Sequence, residues 1–177
     1  MKSDSKATDD ALTKLAKTLI QRQETKELYW LDHPVIRSMI RCKLGYIEDA
    51  MVDIDLAIQK TPDKSFLYEY RGSYYADNQQ YQKALEDFSI VIQIDPDNSE
   101  IYLNRGHIFR VLDRYSEAIA DYTQAITLED SLLDAYFFRG VCYKQLGEKE
   151  NAVADIQTVL SIDPEFAPKM NCQAIFP

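Results

Sequence analysis

Glycine recurs every 34 residues inside otherwise apolar, helix-forming sequence: Gly72, Gly106 and Gly140, each preceded by an arginine (Arg71, Arg105, Arg139). A glycine in a helix interior costs about 1 kcal/mol relative to alanine. Three of them in one register therefore need a packing reason. A period of this size means that one supersecondary unit is built several times over, each copy burying its apolar side against the next.

With a unit set to begin at Ser65, the glycine takes its eighth place and the following units begin at Ser99 and Leu133. The fourth place then reads Tyr68, Tyr102, Tyr136, and the eleventh Tyr75, Phe109, Tyr143. The twentieth reads Ala84, Ala118, Ala152, and the twenty-fourth Phe88, Tyr122, Ile156. Proline closes two of these units, at Pro96 and Pro164, with Asp130 in that place in the middle one. Run backwards, the frame defines a fourth unit at 31–64 that keeps Ala50, Ile54, Ala57 and Pro62. Its first half is degenerate: Ser38 replaces the glycine, Pro34 the tyrosine and Arg41 the aromatic.

Each unit divides into two apolar-periodic stretches around a polar break, at Leu44-Gly45, Asn78-Gln79, Leu112-Asp113 and Leu146-Gly147. Glycine or asparagine past a helix end favours the left-handed cap, and the closing proline cannot continue a second helix. Each unit is therefore expected to be a helical hairpin. In it, Gly72 and Ala84 let two backbones approach, while Tyr75 and Phe88 fill the remaining space.

This pattern resembles the tetratricopeptide repeat, a 34-residue helix-turn-helix, clearly over residues 31–164. The resemblance implies an all-α fold, an α-solenoid of stacked hairpins forming a right-handed superhelix with a concave face and short helical caps at both ends. The expected organisation is a disordered tail at 1–10, an N-terminal capping helix at 11–30, units at 31–64, 65–98, 99–132 and 133–166, and a C-terminal capping stub at 167–177. The cap rests on Leu12, Leu15, Ala16, Leu19 and Ile20 at helical spacing, since a bare first hairpin would expose its apolar side. The stub places Met170 and Ala174 in the fourth and eighth places of a fifth unit.

Charge and cysteine content narrow the partners. The net charge is −9, with 29 acidic against 20 basic residues, which argues against nucleic acid or anionic membrane. The acids are spread along the chain and read as a solvated surface. Cys42, Cys142 and Cys172 are odd in number and lack metal-ligand spacing, which suggests reduced thiols in a cytoplasmic setting. No apolar run reaches the length of a membrane span, and the start MKSDSKATDD has no apolar core like a signal peptide's.

Enzyme chemistry is not expected. The two histidines, His33 and His107, lie in no nucleophile, metal or phosphate motif, and the glycines sit singly. No cofactor, metal or catalytic residue is assigned. Cys142 reads as a small core residue, and His107 as an exposed one. Arg37, Arg71, Arg105 and Arg139 keep step with Asp53, Asp87, Asp121 and Asp155. That double ladder suggests structural ion pairs, for which the planar guanidinium suits a carboxylate.

In the implied fold, the first helix of each hairpin lines the concave face. Its groove places hold Val35 and Met39 in the first unit, Phe66 and Tyr70 in the second, Leu103, Asn104 and His107 in the third, and Phe137, Phe138 and Val141 in the fourth. These side chains are expected to do no hairpin packing, so their apolar character points to a binding surface. Asp32, Glu69, Asp77, Glu100 and Asp134 add acidic points. The expected ligand is a protein or peptide segment with apolar anchors and some basic charge, and the expected function a non-enzymatic scaffold or adaptor. The alternative is a self-assembling module, a homodimer through the groove or the solenoid ends. Relatives that hold chaperone tails use a carboxylate clamp of lysines, asparagines and an arginine. The corresponding places here hold Val35, Met39, Tyr70, Glu100 and Asn104, or Glu69, Ser73, Asn104, Asp134 and Phe138. Only Asn104 fits, in the second frame, so the clamp is absent.

Overall fold

The computed structural model describes residues 33–166, and the expected N-terminal tail, capping helix and C-terminal stub lie outside them. Among the described residues all regular structure is α-helical: α1 (Pro34–Lys43), α2 (Ile47–Lys60), α3 (Ser65–Asp77), α4 (Tyr81–Ile94), α5 (Ser99–Val111), α6 (Tyr115–Leu128), α7 (Leu133–Gln145) and α8 (Lys149–Ile162). The class is the α-solenoid of helical hairpins. The chain falls into two compact units, one ending at Leu67 and one beginning at Tyr68. The first contains the α1–α2 hairpin and the start of α3. The second contains the rest.

Local chemistry sets the helix ends. Pro34 opens α1, where its missing N–H costs nothing, and Arg41 and Lys43 face the negative end of the dipole. Asn98 caps α5 by accepting from the Ile101 amide at 3.3 Å. The turns inside the hairpins pass through left-handed backbone at Gly45 (φ 80°), Gln79 (58°), Asp113 (57°) and Gly147 (81°). Two of the four turns thus manage without glycine. Before Pro62, Pro96 and Pro164, the residues Thr61, Asp95 and Asp163 leave the helical region, as a following proline demands. Glu129 does the same at φ −147° and ψ 98° with Asp130 after it. Its carboxylate instead accepts from Ser99 Oγ at 2.9 Å.

In the first unit, α1 packs on α2, and Ala50, Ile54 and Ala57 are buried. Ser38 is buried too, its hydroxyl donating to the Val35 carbonyl at 2.7 Å. Asp53 draws two arginines: Arg37 through Nε at 2.8 Å, and Arg41 through Nη1 at 2.6 Å.

In the second unit, α5 packs on α6, α6 on α7 and α7 on α8. Gly72 and Gly106 lie at seams too close for a side chain. A Cβ on Gly72 would come within 2.8 Å of the Phe88 ring, and one on Gly106 within 2.9 Å of the Tyr122 ring. The arginine–aspartate ladder closes in every hairpin. Nε–Oδ2 distances are 2.8 Å for Arg71–Asp87 and Arg105–Asp121 and 2.9 Å for Arg139–Asp155, each with a second bond through Nη2. The Asp121 hydrogen bond chiefly raises the Arg105 pKa, and that of Asp155 the Arg139 pKa. The arginines also reach across hairpins: Arg105 Nη1 donates to Ser89 Oγ and Arg139 Nη1 to Thr123 Oγ1, each at 3.1 Å. The ladder therefore ties hairpin to hairpin as well as helix to helix.

Candidate functional site

The residues expected to line the groove divide between the units. Val35, Met39 and Phe66 belong to the first, where Met39 and Phe66 are exposed. The second unit holds the other seven, and two of these correct the expectation. Leu103 and Phe137 are buried, with Phe137 only 2% exposed. Both occupy the fifth place of their helices. Leu103 packs into the cluster formed by Tyr122, Ala125 and, from the next hairpin, Ala135 and Cys142. Phe137 packs against Val159 and Phe166, its ring 5.8 Å from that of Phe166. The fifth place therefore faces the second helix of its own hairpin and the chain that follows it, and these side chains serve packing. Val141 is half-buried against the same cluster as Phe137. Tyr70 is 53% exposed.

His107 also departs from expectation, being half-buried rather than exposed. Its Nδ1 lies 2.9 Å from the Tyr122 hydroxyl, and its ring meets Phe138 edge-on at 4.6 Å. Burial, with help from the nearby Arg110 cation, lowers its pKa to about 4, so the imidazole is neutral at pH 7. The sequence offered a signal for this contact: only the third unit pairs a hydroxyl at the twenty-fourth place with an imidazole at the ninth. Arg110 extends over the Phe138 ring at 4.8 Å. Its Nε is buried without a hydrogen-bond partner among the described residues. Cys142 is fully buried, and that burial pushes its thiol up to about 11.

Between α3 and α5 the surface opens into a recess of about 320 Å³ lined by Ser73, Ala76, Asp77, Asn104, His107 and Val111, with Phe88, Ile108 and Tyr81 completing it. Of the expected site residues it brings together Asn104 and His107. Phe138 reaches this region only through its contact with His107. Tyr81 comes from the start of a second helix, outside the groove places of the first helices. Near this side of the unit, burial first and then repulsion from Glu100 and Asp95 raise the Glu69 carboxyl above its ordinary range.

The repeating hairpin, its glycine–aromatic seam and its arginine ladder define a helical-repeat protein of tetratricopeptide type. Profiles described as TPR repeat and tetratricopeptide repeat match residues 72–110, 99–131 and 133–166. Among solved structures, MamA aligns with a TM-score of 0.74 at 17% identity, over 94% of this chain and 95% of that one. The second TPR of Spaghetti (RPAP3), bound to the HSP90 peptide SRMEEVD, aligns at 0.55 and 30% identity over 59% of this chain and 97% of that one. The Arabidopsis OM64 TPR domain aligns at 0.58 and 24% identity over 63% and 93%. A comparison with curated proteins returns no match. The chain belongs to the tetratricopeptide repeat family. No helix among the described residues is long and apolar enough to cross a membrane.

Proposed function

We propose that this protein is a non-enzymatic interaction module that binds an extended segment of a partner protein along the α3, α5 and α7 surface of its second unit. The observation that carries this reading is the recess beside His107, apolar at its base and edged by polar side chains, the mixture typical of ligand sites. The exposed Tyr70 ring and the Phe138–Arg110 stack extend the surface to either side. A structural relative carries a peptide, SRMEEVD, which supports a peptide-like ligand here. The ligand chemistry must differ, because the clamp places hold Glu100, Asp134 and Phe138 rather than cations. The acidic points at Glu69, Asp77, Glu100 and Asp134 favour a partner with some basic charge beside its apolar anchors. The free thiols of Cys42 and Cys142 suit a reducing, cytoplasmic setting.

Panning the full chain against a random twelve-residue peptide library tests the proposal. Specific peptides are expected to emerge, and the double change Tyr70→Ala, Asn104→Ala should weaken them at least thirtyfold while helicity and melting temperature stay at wild-type values. Peptides that bind the double variant equally well would move the surface elsewhere, and a selection with no specific binders would end the reading.

A second reading, self-association, rests on Val153 and Leu160 of α8, which are both exposed and stand seven residues apart on one face of that helix. Light scattering distinguishes it: a dimer at micromolar concentration supports self-association, and a monomer removes it.

A further inference from the structure

The recess beside His107 has a composition that selects its occupant. Its buried base is Phe88 and Ile108, with Ala76 and Val111 as the other apolar lining. Around this base stand Ser73, Asp77 and Asn104, whose side chains have no hydrogen-bond partner among the described residues, in contrast with Asp87 and Asp121 of the ladder. His107 adds no charge at pH 7, since burial keeps its ring neutral. Arg110 does not line the recess and turns instead over Phe138. The charge left at the recess is therefore the single carboxylate of Asp77.

The position of that carboxylate is informative. Asp77 is the last residue of α3, whose last turn contains no basic residue. A helix C-terminus carries partial negative charge and favours a cation. The first, third and fourth first-helices follow this rule with Lys43, Arg110 and Lys144 in their last turns. In α3 the sequence does the opposite and adds a full negative charge to the negative end of the dipole. Both fields attract a cation to the same corner of the recess.

We propose that this recess receives one lysine or arginine side chain of the bound segment, its aliphatic stem against Ala76, Val111 and Phe88 and its cationic head on Asp77. The inference rests on the interaction reading above and makes it specific. Long basic side chains suit such a place because their methylenes cover apolar surface while the charged end reaches a polar partner. The volume of about 320 Å³ lies at the low end of the roughly 300–1,000 Å³ usual for ligand sites, enough for one long side chain. Ser73 Oγ and the Asn104 carbonyl oxygen supply further acceptors for the ammonium or guanidinium protons.

The random twelve-residue library tests this with the full chain and two variants. Peptides selected on wild type are expected to share one lysine or arginine next to an apolar residue. A selected synthetic peptide should bind Asp77→Asn at least tenfold more weakly, and its lysine-to-norleucine analogue should lose a similar factor on wild type and little on the variant. Panning on Asp77→Lys should remove the basic preference and bring in Asp or Glu. Glu150→Gln, an exposed acid on α8 outside the proposed binding surface, should leave affinity within twofold. Specific peptides without a shared basic residue, or a preference that survives Asp77→Lys, would overturn the inference while leaving the interaction module in place. A library that yields no specific peptide would overturn both.

Discussion

In the first hairpin Ser38 stands at the seam between helices; in the later three a glycine does, and the residue across the seam changes with it. Phe88 and Tyr122 face Gly72 and Gly106, and their rings lie within 2.9 Å of where a Cβ would sit. Across from Gly140 the residue is Ile156, and the nearest atoms relax to 3.3 Å. The first hairpin has Ile54 in that place, and Ser38 fits in buried form with its hydroxyl bonded to the Val35 carbonyl. The aromatic ring, and not the hairpin itself, demands the glycine. The charge ladder differs in a parallel way. Where the later hairpins place an aromatic beside the arginine, as Phe109 beside Arg105 at 5.8 Å, the first places Arg41 and gives Asp53 a second cation.

The strongest test of this comparison enlarges the seam residue where the ring is present. Gly106→Leu should destabilise the protein by about 3 kcal/mol, the upper range for overpacking, because Tyr122 is fully buried and cannot swing away. Gly140→Ala should stay within about 1 kcal/mol of wild type, its gain in helix propensity offset by the 3.3 Å approach to the Ala152 carbonyl. Urea denaturation measures both. Equal costs at the two sites would refute the role given to the ring.

A smaller difference is expected from the ladder. Arg105→Ala leaves Asp121 buried without its guanidinium and also removes the bond to Ser89; a loss of about 2 kcal/mol should follow, reduced from the usual cost of breaking a buried pair by the partial exposure of Arg105. Arg37→Ala should cost about half as much, since Arg41 remains on Asp53. If Arg37→Ala costs as much as Arg105→Ala, the second arginine does not compensate.

These contrasts also mark what the sequence could convey. The seam and the ladder were legible because each repeats one residue type at one place: glycine against a large residue in three of the four copies, arginine against aspartate in all four. The fifth place was not legible in the same way. Leu103 and Phe137 are apolar, and an apolar residue on a first helix suits either an open groove or the space between successive hairpins. Ala135 and Phe166 decide between these outcomes, and they come from other parts of the stack. The recess was half legible. Asn104, His107 and Asp77 fall in groove places, whereas Tyr81 arrives from a second helix. The proline rule proved dispensable once: Glu129 ends α6 in extended backbone without it.

A pH-dependent difference concerns the ninth place, where the first hairpin has an exposed Met39 and the third a half-buried His107. In the folded protein His107 titrates near 4, its ring held neutral by burial and by Arg110; in the unfolded chain it titrates near 6.5. Between these values the unfolded state binds the proton and the folded state does not, so stability falls as the pH drops from about 6.5 to 4. Above 6.5 both states are neutral and this group adds no pH dependence; below 4 both are charged and no further loss occurs. His107→Asn can keep a hydrogen-bonding group near the Tyr122 hydroxyl without a titrating one. Its stability at pH 7 should change little, and its loss between pH 6.5 and 4 should be smaller than that of wild type by about 2–3 kcal/mol. Parallel urea titrations of the two proteins across that range give the difference directly, and Met39→Asn should leave the slope unchanged. A wild-type slope retained in His107→Asn would show that the imidazole takes up its proton in the fold as readily as in the unfolded chain, and that burial beside Tyr122 does not hold it neutral.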